Sequence, residues 1–266
     1  MLAPVASPAI GCFDSGVGGL SVARSLRALL PSVRLVYFAD TAWFPYGGRP
    51  PAEVRKRAFA AARALLDAGS ELIVVACNTA SAAALQDLRA AFPVPFVGMV
   101  PGLKPAAVSS RNGRVAVLAT PGTLDGELLR RVQEEYGAGV TVERVAGHGL
   151  AELVEQGRAA TPEVRVRLRQ LLTPAIERGA DVIVLGCTHY HFLADDVRSE
   201  FPGVEVVETS EPVARRAAQL WLDAGRPKDA GDGGLELLVS GPRRRFEEVA
   251  RSLVPELFAA EARTVR

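Results

Sequence analysis

Two stretches of this chain, Glu71-Leu-Ile-Val-Val-Ala-Cys-Asn-Thr79 and Asp181-Val-Ile-Val-Leu-Gly-Cys-Thr-His189, repeat one pattern. In each stretch an acidic residue precedes four aliphatic residues and one small residue, and a cysteine with hydrogen-bonding neighbours follows. The two cysteines, Cys77 and Cys187, are 187 − 77 = 110 residues apart, which is about the length of one domain. The repeat therefore predicts two related half-structures, each with a thiol at the end of a strand.

Each run of four aliphatic residues predicts a strand that is buried on both faces, as in a parallel sheet. Each cysteine then lies just beyond the carboxyl end of its strand, at the edge where open α/β sheets bind their ligands. Two such halves would each contribute one thiol to a shared cleft. A pair of thiols placed in this way can act on one carbon atom from opposite faces.

Strand and helix patterns alternate along the chain, which is typical of parallel sheets with right-handed crossovers. We expect an α/β fold of two pseudo-symmetric domains, each a mainly parallel sheet flanked by helices, with the active site in the cleft between them. The first domain is predicted to comprise residues 1–102 plus 213–266, with the tail folding back onto the first half, and the second residues 103–212. The predicted strands are 10–13, 35–39, 72–76, 93–97, 114–118, 140–144, 182–185, 204–207 and 235–239, and the helices nearest the site are 81–91 and 124–135.

The composition of the chain argues against several classes of protein. Its 266 residues are 48% hydrophobic and 23% charged, close to the globular average, so extensive disorder is not expected. The formal net charge of +1 gives no basic surface of the kind that nucleic-acid binding requires. No apolar run approaches the roughly 18 residues of a membrane-spanning helix, and no Lys or Arg precedes Arg24, so neither a membrane span nor a secretory signal is expected. The three cysteines, of which Cys12 is predicted to be a small buried hydrophobe, indicate reduced thiols in a cytoplasmic protein.

The glycine-rich segment Asp14-Ser-Gly-Val-Gly-Gly19 follows the first strand and precedes a helix, which is where a nucleotide-binding loop would lie. Its glycines do not fit the Gly-x-Gly-x-x-Gly spacing, because the third position holds Ser21. Asp14 would also place a carboxylate where a pyrophosphate should bind. The backbone amides of this loop suit a smaller anion, such as a carboxylate, and Asp14 is then free to act on a cationic group.

Motifs in chain order cover nearly the whole sequence: Phe13–Leu20, Asp40–Ala42 with Phe44–Gly47, Ala76–Ala80, Gly186–Tyr190, and Ser240-Gly241 followed by Phe246. In these motifs the chain resembles the glutamate racemases of the aspartate/glutamate racemase superfamily. The resemblance implies a cofactor-independent enzyme that interconverts L- and D-glutamate and supplies D-glutamate for peptidoglycan. We expect glutamate as its small-molecule partner, a homodimer, and no nucleic-acid or membrane partner.

The resemblance also implies roles for particular residues. The two acid/base thiols of the family match Cys77 and Cys187, and we expect Asp14 and His189 to be catalytic with them. No metal site is expected. The residues that contact substrate or tune the thiols match Asp14, Ser15, Tyr46, Gly47, Asn78, Thr79, Thr188 and His189.

The chemistry of racemisation agrees with these residues independently of the resemblance. Inverting an α-carbon requires a base on one face and an acid on the other, and two residues of one type suit a reaction between mirror images. The ordinary pKa of cysteine is about 8.5, and nearby cations or helix N-termini lower it. His189 is the expected partner of Cys187, whereas Asp14 is expected either to assist Cys77 or to bind the substrate ammonium group.

Other interpretations stay open from the sequence. A related racemase or isomerase of the superfamily would use the same two thiols on aspartate or another substrate, and a non-catalytic binding protein is a third class. A metal site is suggested by the alternating residues Cys187, His189 and His191. Structural zinc sites, however, space their ligands differently. The run of arginines at 243–245 predicts a solvated helix face.

The chain departs from the usual pattern of the resembled family at several places near these motifs. Proline is common in the family where His191 stands, and Gly147-His148 and Glu208-Thr209 replace other common pairs. Glu155 of the Leu-Val-Glu segment is retained. These departures leave both cysteine motifs intact, so we expect them to alter local geometry more than activity.

Overall fold

Two parallel sheets organise the protein, whose computed structural model describes residues 7–228 and 233–258. The strands of the first sheet are β1 (Ala9–Asp14), β2 (Arg34–Ala39), β3 (Ser70–Val75), β4 (Phe96–Gly98) and β9 (Leu235–Val239). Their order is β4-β3-β1-β2-β9, and every neighbouring pair is parallel. Because β9 pairs with β2, the tail of the chain returns to the first half, as predicted.

The second sheet lies between these segments in sequence. Its strands are β5 (Arg114–Ala119), β6 (Thr141–Ala146), β7 (Val182–Gly186) and β8 (Glu205–Val207), in the parallel order β6-β5-β7-β8. The predicted α/β class with two mainly parallel sheets is confirmed. The domain boundaries stay a prediction, with residues 1–102 plus 213–266 in one domain and 103–212 in the other. Residues 1–6, 229–232 and 259–266 lie outside the described part of the chain.

Helices cover both faces of the first sheet. Successive side chains of its central strands point to opposite faces, so each strand has apolar side chains to bury on both sides. Leu72 and Val74 of β3 lie in one core cluster, whereas Ile73 and Val75 lie in another. The first of these clusters also contains Leu185 of the second sheet, so a continuous apolar core joins the two sheets. The α-helices are α1 (Leu20–Leu29), α2 (Pro51–Asp67), α3 (Asn78–Ala91), α4 (Leu103–Ser109), α5 (Pro121–Leu124), α6 (Glu127–Tyr136), α7 (Leu150–Glu155), α8 (Pro162–Glu177), α9 (Ala194–Glu200), α10 (Ser210–Asp223) and α11 (Arg243–Leu253), and the 3₁₀ helices are Thr41–Trp43, Thr188–Leu193 and Pro255–Phe258.

Some predicted element boundaries were wrong, each for a local reason. The strand expected at 93–97 begins only at Phe96, because Pro93 and Pro95 have no N–H to donate to a ladder. The single helix expected over 124–135 is divided into α5 and α6 at Asp125-Gly126. Helix α3 begins at Asn78 rather than at residue 81, since the sulfur of Cys77 caps it.

The polar residues of the motifs collect at the carboxyl ends of the strands. Asp14 ends β1, and β1 lies beside β3, which Cys77 follows by two residues. Cys187 directly follows β7 in the second sheet. Since parallel strands present all their carboxyl ends at one edge, the two sheets contribute their reactive side chains to one region between them.

Candidate active site

Cys77 is a buried thiol at the N-terminus of a helix. Its backbone is extended, its side chain accepts a hydrogen bond from the amide of Ala80 at 3.5 Å, and the residue is 6% exposed. Burial raises the pKa of this thiol well above its ordinary value, and the negative charges of Asp14 and Cys187 raise it further. The amides of Ala80 and Ser15 oppose this shift only in part. Cys77 is therefore protonated at neutral pH, and Cys187 lies within electrostatic range of it.

Cys187 is equally buried but lies beside two ionisable side chains. Its Sγ lies 3.8 Å from Nδ1 of His189, and Nε2 of His189 lies 2.7 Å from Oε1 of Glu155. Burial alone would lower the pKa of His189, but its hydrogen bonds with Cys187 and Glu155 and the charge of Asp14 raise it well above the ordinary value. His189 is therefore a cation that lies beside Cys187. The two side chains lie within hydrogen-bonding distance, and the catalytic partnership of Cys187 with His189 stays a prediction.

Asp14 joins the two halves of the site. Its carboxylate is fully buried and accepts hydrogen bonds from the hydroxyl of Ser15 at 3.0 Å and from the hydroxyl of Thr188 at 2.9 Å. Asp14 and Ser15 follow the first sheet, whereas Thr188 follows the second. The charge of Asp14 acts on both Cys77 and His189, so one carboxylate influences the protonation of groups on both sides of the site.

The glycine-rich loop supports this cluster by close approach of its backbone. A Cβ atom added at Gly18 would lie 2.4 Å from Nδ1 of His189, 2.6 Å from Oγ1 of Thr188 and 2.7 Å from Oδ2 of Asp14. The amide of Val17 donates to Oε1 of Glu155 at 2.6 Å. One amide of the loop thus donates to a carboxylate of the protein itself, and the expected use of the loop amides for a bound anion stays a prediction.

Glu155 is the candidate residue that sequence reasoning left out of the site. It lies at the end of α7, and its side chain is 16% exposed, against 3% for His189. One oxygen accepts from both the Val17 amide and the His189 ring. The Leu-Val-Glu segment was the signal available in the sequence. The contacts of Glu155 with Val17 and His189, which lie 138 and 34 positions away along the chain, become visible only in the fold.

Tyr46 is placed by a buried ionic pair. Its hydroxyl donates to Oδ2 of Asp40 at 2.6 Å, and the guanidinium of Arg57 holds both oxygens of Asp40 at 2.8 Å. Burial opposes ionisation of Asp40, but the hydrogen bonds from Arg57 and Tyr46 lower its pKa below the ordinary value. Because the Tyr46 hydroxyl is engaged by Asp40, Tyr46 fixes the segment that leads to Gly47 rather than offering a free donor.

Gly47 and Thr79 of the first half contact the second half through threonines. The hydroxyl of Thr79 lies 2.9 Å from that of Thr120 and 3.4 Å from that of Thr123. The carbonyl of Gly47 accepts from the amide of Gly122 at 3.0 Å. Thr120 and Thr123 follow β5 and were not among the predicted site residues. They add hydroxyl groups beside Thr79.

Asn78 has unused hydrogen-bonding capacity in this buried region. The residue is 3% exposed, and neither its amide nitrogen nor its carbonyl oxygen has a partner. A buried polar group without a partner is destabilising unless a ligand satisfies it. Because Asn78 directly follows Cys77, its amide is available to a molecule bound next to that thiol.

A cavity of about 350 Å³ opens beside the cluster. The residues that line it include Phe44, Glu155, Arg245 and Phe246. The ring of Phe44 lies 5.5 Å from that of His189. The arginine run at 243–245 is mostly solvated, as predicted, but Arg245 lies at this cavity. Cys12 faces the core instead, and burial raises its pKa to about 12, consistent with the predicted inert role.

The sheets and the paired thiols place the protein among the amino-acid racemases. A family profile described as Asp/Glu/hydantoin racemase matches residues 20–217, so the chain belongs to this family. The predicted enzyme class, an isomerase of amino acids, is confirmed at this level.

Within the family the chain is similar to proteins named glutamate racemase. It is 46% identical to that of Roseiflexus sp. (strain RS-1) over 249 residues, which are 92% of this chain and 91% of the relative. Its fold matches glutamate racemase isoform RacE1 from Bacillus anthracis with a TM-score of 0.83 and 30% identity, over 93% of this chain and 94% of that one. It matches Escherichia coli glutamate racemase, crystallised with L-glutamate and the activator UDP-MurNAc-ala, with a TM-score of 0.80 and 32% identity over 96% and 95% of the two chains.

Proposed function

We propose that this protein is a glutamate racemase that moves protons at the α-carbon with two thiols and without a cofactor. The observation that carries the proposal is the placement of Cys77 and Cys187 at the carboxyl ends of strands from different sheets, within electrostatic range of each other. The similarity to glutamate racemases, one of them crystallised with L-glutamate, supports the choice of substrate.

The two thiols have unequal environments, which suit different roles. His189, which contacts Glu155, lies beside Cys187, whereas burial raises the pKa of Cys77 and keeps it protonated. In this arrangement Cys187 serves as the base that removes the α-proton of one enantiomer. Cys77 is the acid that protonates the opposite face of the carbon. The reverse reaction starts from the state in which the two thiols have exchanged protonation.

The groups around the thiols suit the other parts of an amino acid. Asp14 carries the buried negative charge that an ammonium group would pair with. The free amide of Asn78 is a neutral donor for carboxylates, and Thr79 adds a hydroxyl group. The hydroxyls of Ser15 and Thr188 donate to Asp14 in the absence of substrate and become donors to a carboxylate when they turn away from it. Each neutral hydrogen bond is worth about 0.5–1.5 kcal/mol, so several must converge on the substrate to give millimolar-range binding.

The proposed activity is tested by circular dichroism of the pure protein with L-glutamate, in the presence of a metal chelator and with no added cofactor. The ellipticity should decay to zero, with no decay for L-aspartate. Cys77→Ala and Cys187→Ala should each abolish racemisation, because each removes one of two required proton carriers. Turnover of aspartate in preference to glutamate would favour the related-racemase alternative, and full racemisation by either variant would exclude the two-thiol mechanism.

The cellular role follows from the proposed reaction. We propose that the enzyme supplies D-glutamate for peptidoglycan from a cytoplasmic location and acts as a homodimer. No helix in the described part of the chain is long and apolar enough to span a membrane. Light scattering of the purified protein at assay concentration measures the oligomeric state directly.

A further inference from the structure

A buried histidine that the proposed proton transfers do not use lies four residues after Cys187. His191 is 4% exposed and belongs to the 3₁₀ helix Thr188–Leu193. Its Nδ1 lies 2.7 Å from the hydroxyl oxygen of Ser210 and 3.2 Å from that of Ser21. Ser210 is the first residue of α10 and Ser21 lies in the first turn of α1, so one ring contacts two helices that pack against each other.

The protonation of this ring follows from its surroundings. Burial lowers the pKa of His191 to about 4, and the charges of His189 and Arg24 act in the same direction, so the ring is neutral at neutral pH. Ser21 has a single hydroxyl proton, which it donates to the carbonyl of Gly18 at 2.9 Å. The hydroxyl oxygen of Ser21 therefore contacts His191 as an acceptor, and a proton on Nδ1 is shared between this oxygen and the hydroxyl oxygen of Ser210.

These hydrogen bonds connect His191 to the cluster around Cys187. Gly18, whose carbonyl Ser21 holds, is the residue whose backbone packs directly against His189 and Thr188. A displacement of Gly18 towards the cluster is blocked by those side chains, and a displacement away from it opens the contact. The chain of contacts therefore runs from His191 through Ser21 and Gly18 to the catalytic imidazole.

We propose that His191 is a positioning residue for the reaction. Through the Ser21 hydroxyl, it keeps the Gly18 backbone in place against the loop that follows Cys187. The inference rests on the proposed racemase function, since the geometry that it maintains is that of the Cys187–His189 pair. An imidazole that only filled space among α1 and α10 would contribute to stability and leave the proton transfers unchanged.

The first test compares two substitutions of the same residue. Asn reaches as far from Cα as Nδ1 of the imidazole and supplies an N–H, so His191→Asn should retain kcat within about threefold. His191→Leu fills similar space without a donor, and its kcat should fall roughly tenfold, with KM changed by less than about threefold. Both directions of the reaction are followed by circular dichroism at a temperature well below the unfolding transition of each variant.

The second test uses two serines that contact the same nitrogen. Ser21→Ala removes the connection to Gly18 and should lower kcat roughly tenfold. Ser210→Ala removes the shorter contact to the same ring, 2.7 Å against 3.2 Å, but Ser210 has no contact with the Gly18 carbonyl, so its kcat should stay within about twofold of wild type. Thermal unfolding should show that Ser210→Ala loses at least as much stability as Ser21→Ala, which separates positioning from folding.

Several results would overturn the inference while leaving the proposed function in place. These are a wild-type kcat in Ser21→Ala, equal kcat losses in the two serine variants, or a loss in His191→Asn as large as in His191→Leu. If His191→Leu does not fold, the serine pair decides the matter. A wild-type protein without glutamate racemase activity would overturn the proposed function and this inference together.

Discussion

Replacing Glu155 by Gln would test the ionic half of the site by removing one charge and little else. The side chains are nearly the same size, and the amide oxygen of Gln can still accept from the Val17 amide and from Nε2 of His189, as Oε1 now does at 2.6 and 2.7 Å. The charge itself is lost. His189 then has less reason to stay protonated, because its hydrogen bond to Glu155 is one of the causes that raise its pKa.

The size of the effect follows from the burial of the pair. His189 is 3% exposed and Glu155 is 16% exposed, so solvent screens their interaction only weakly. A hydrogen bond between charged groups is worth about 1.5–3 kcal/mol, and a neutral one about half of that. The loss of about 0.8–1.5 kcal/mol corresponds to a fall in kcat of roughly fourfold to thirteenfold.

The pH dependence supplies a second measurement of the same variant. A raised pKa in the folded state stabilises the protein below the ordinary pKa of histidine and ceases to do so as the pH rises through the raised value. The stability difference between wild type and Glu155→Gln should therefore be largest near about pH 6 and shrink in alkaline solution. The alkaline limb of kcat should move to lower pH, because His189 loses its proton earlier.

Isotope effects identify which thiol is affected. The two enantiomers have equal free energies in solution, so kcat/KM must fall equally in both directions. The isotope effect of α-deuterated substrate should nevertheless grow only in the direction in which Cys187 removes the proton. In the opposite direction the solvent isotope effect should grow, because Cys187 then delivers the proton.

Glu152→Gln is the matched control for this prediction. Glu152 lies on the same helix α7 and lines the same cavity, and no hydrogen bond between its side chain and His189 is present in the described residues. Its kcat should change by less than about twofold. An unchanged kcat and pH profile in Glu155→Gln, or equal losses in both variants, would show that the Glu155 charge does not support the reaction.

Three further changes test other parts of the site. Asn78→Ala should lower turnover roughly tenfold and leave the melting temperature unchanged or raised, because the amide that it removes is buried without a partner. A lowered melting temperature with normal turnover would contradict this prediction. Gly18→Ala should nearly abolish turnover, whereas Gly48→Ala, whose new Cβ meets nothing within 4 Å, should retain it; comparable activities would show that the close approach at Gly18 is not required. Asp40→Asn should lower the melting temperature at neutral pH by an amount that shrinks as the pH falls through the lowered pKa of Asp40, and a difference that is constant with pH would argue against an ionic role for Asp40.

The two sheets were predictable because their strands are short aliphatic runs with reactive residues at one end. Local exceptions followed from chemistry that such patterns do not express, such as the sulfur of Cys77 acting as a helix cap and moving the start of α3 to Asn78. The prolines that delay β4 were visible in the sequence but were given too little weight.

The candidate site was predictable in its consecutive residues and not in its tertiary contacts, and the catalytic roles of its residues stay a prediction. Asp14, Cys77 and Cys187 each stand next to a strand end and are recognisable from that position. Glu155 contacts His189 across 34 positions, and Thr120 contacts Thr79 across 41. Nothing in the immediate neighbourhood of Glu155 or Thr120 indicates these partners, because the packing of one sheet on the other creates them.

The burial of the two thiols has a kinetic consequence. Cys77 and Cys187 are each 6% exposed, and hydrogen bonds such as that from Thr188 to Asp14 span the space between the sheets. In the proposed two-thiol reaction a dicarboxylate reaches the sulfurs only when these elements separate, so each turnover would include an opening and a closing of the protein. The association rate is then limited by how often the opening occurs rather than by diffusion. A small alkylating reagent would modify the thiols at a rate that reports this opening, and saturating substrate would slow the modification.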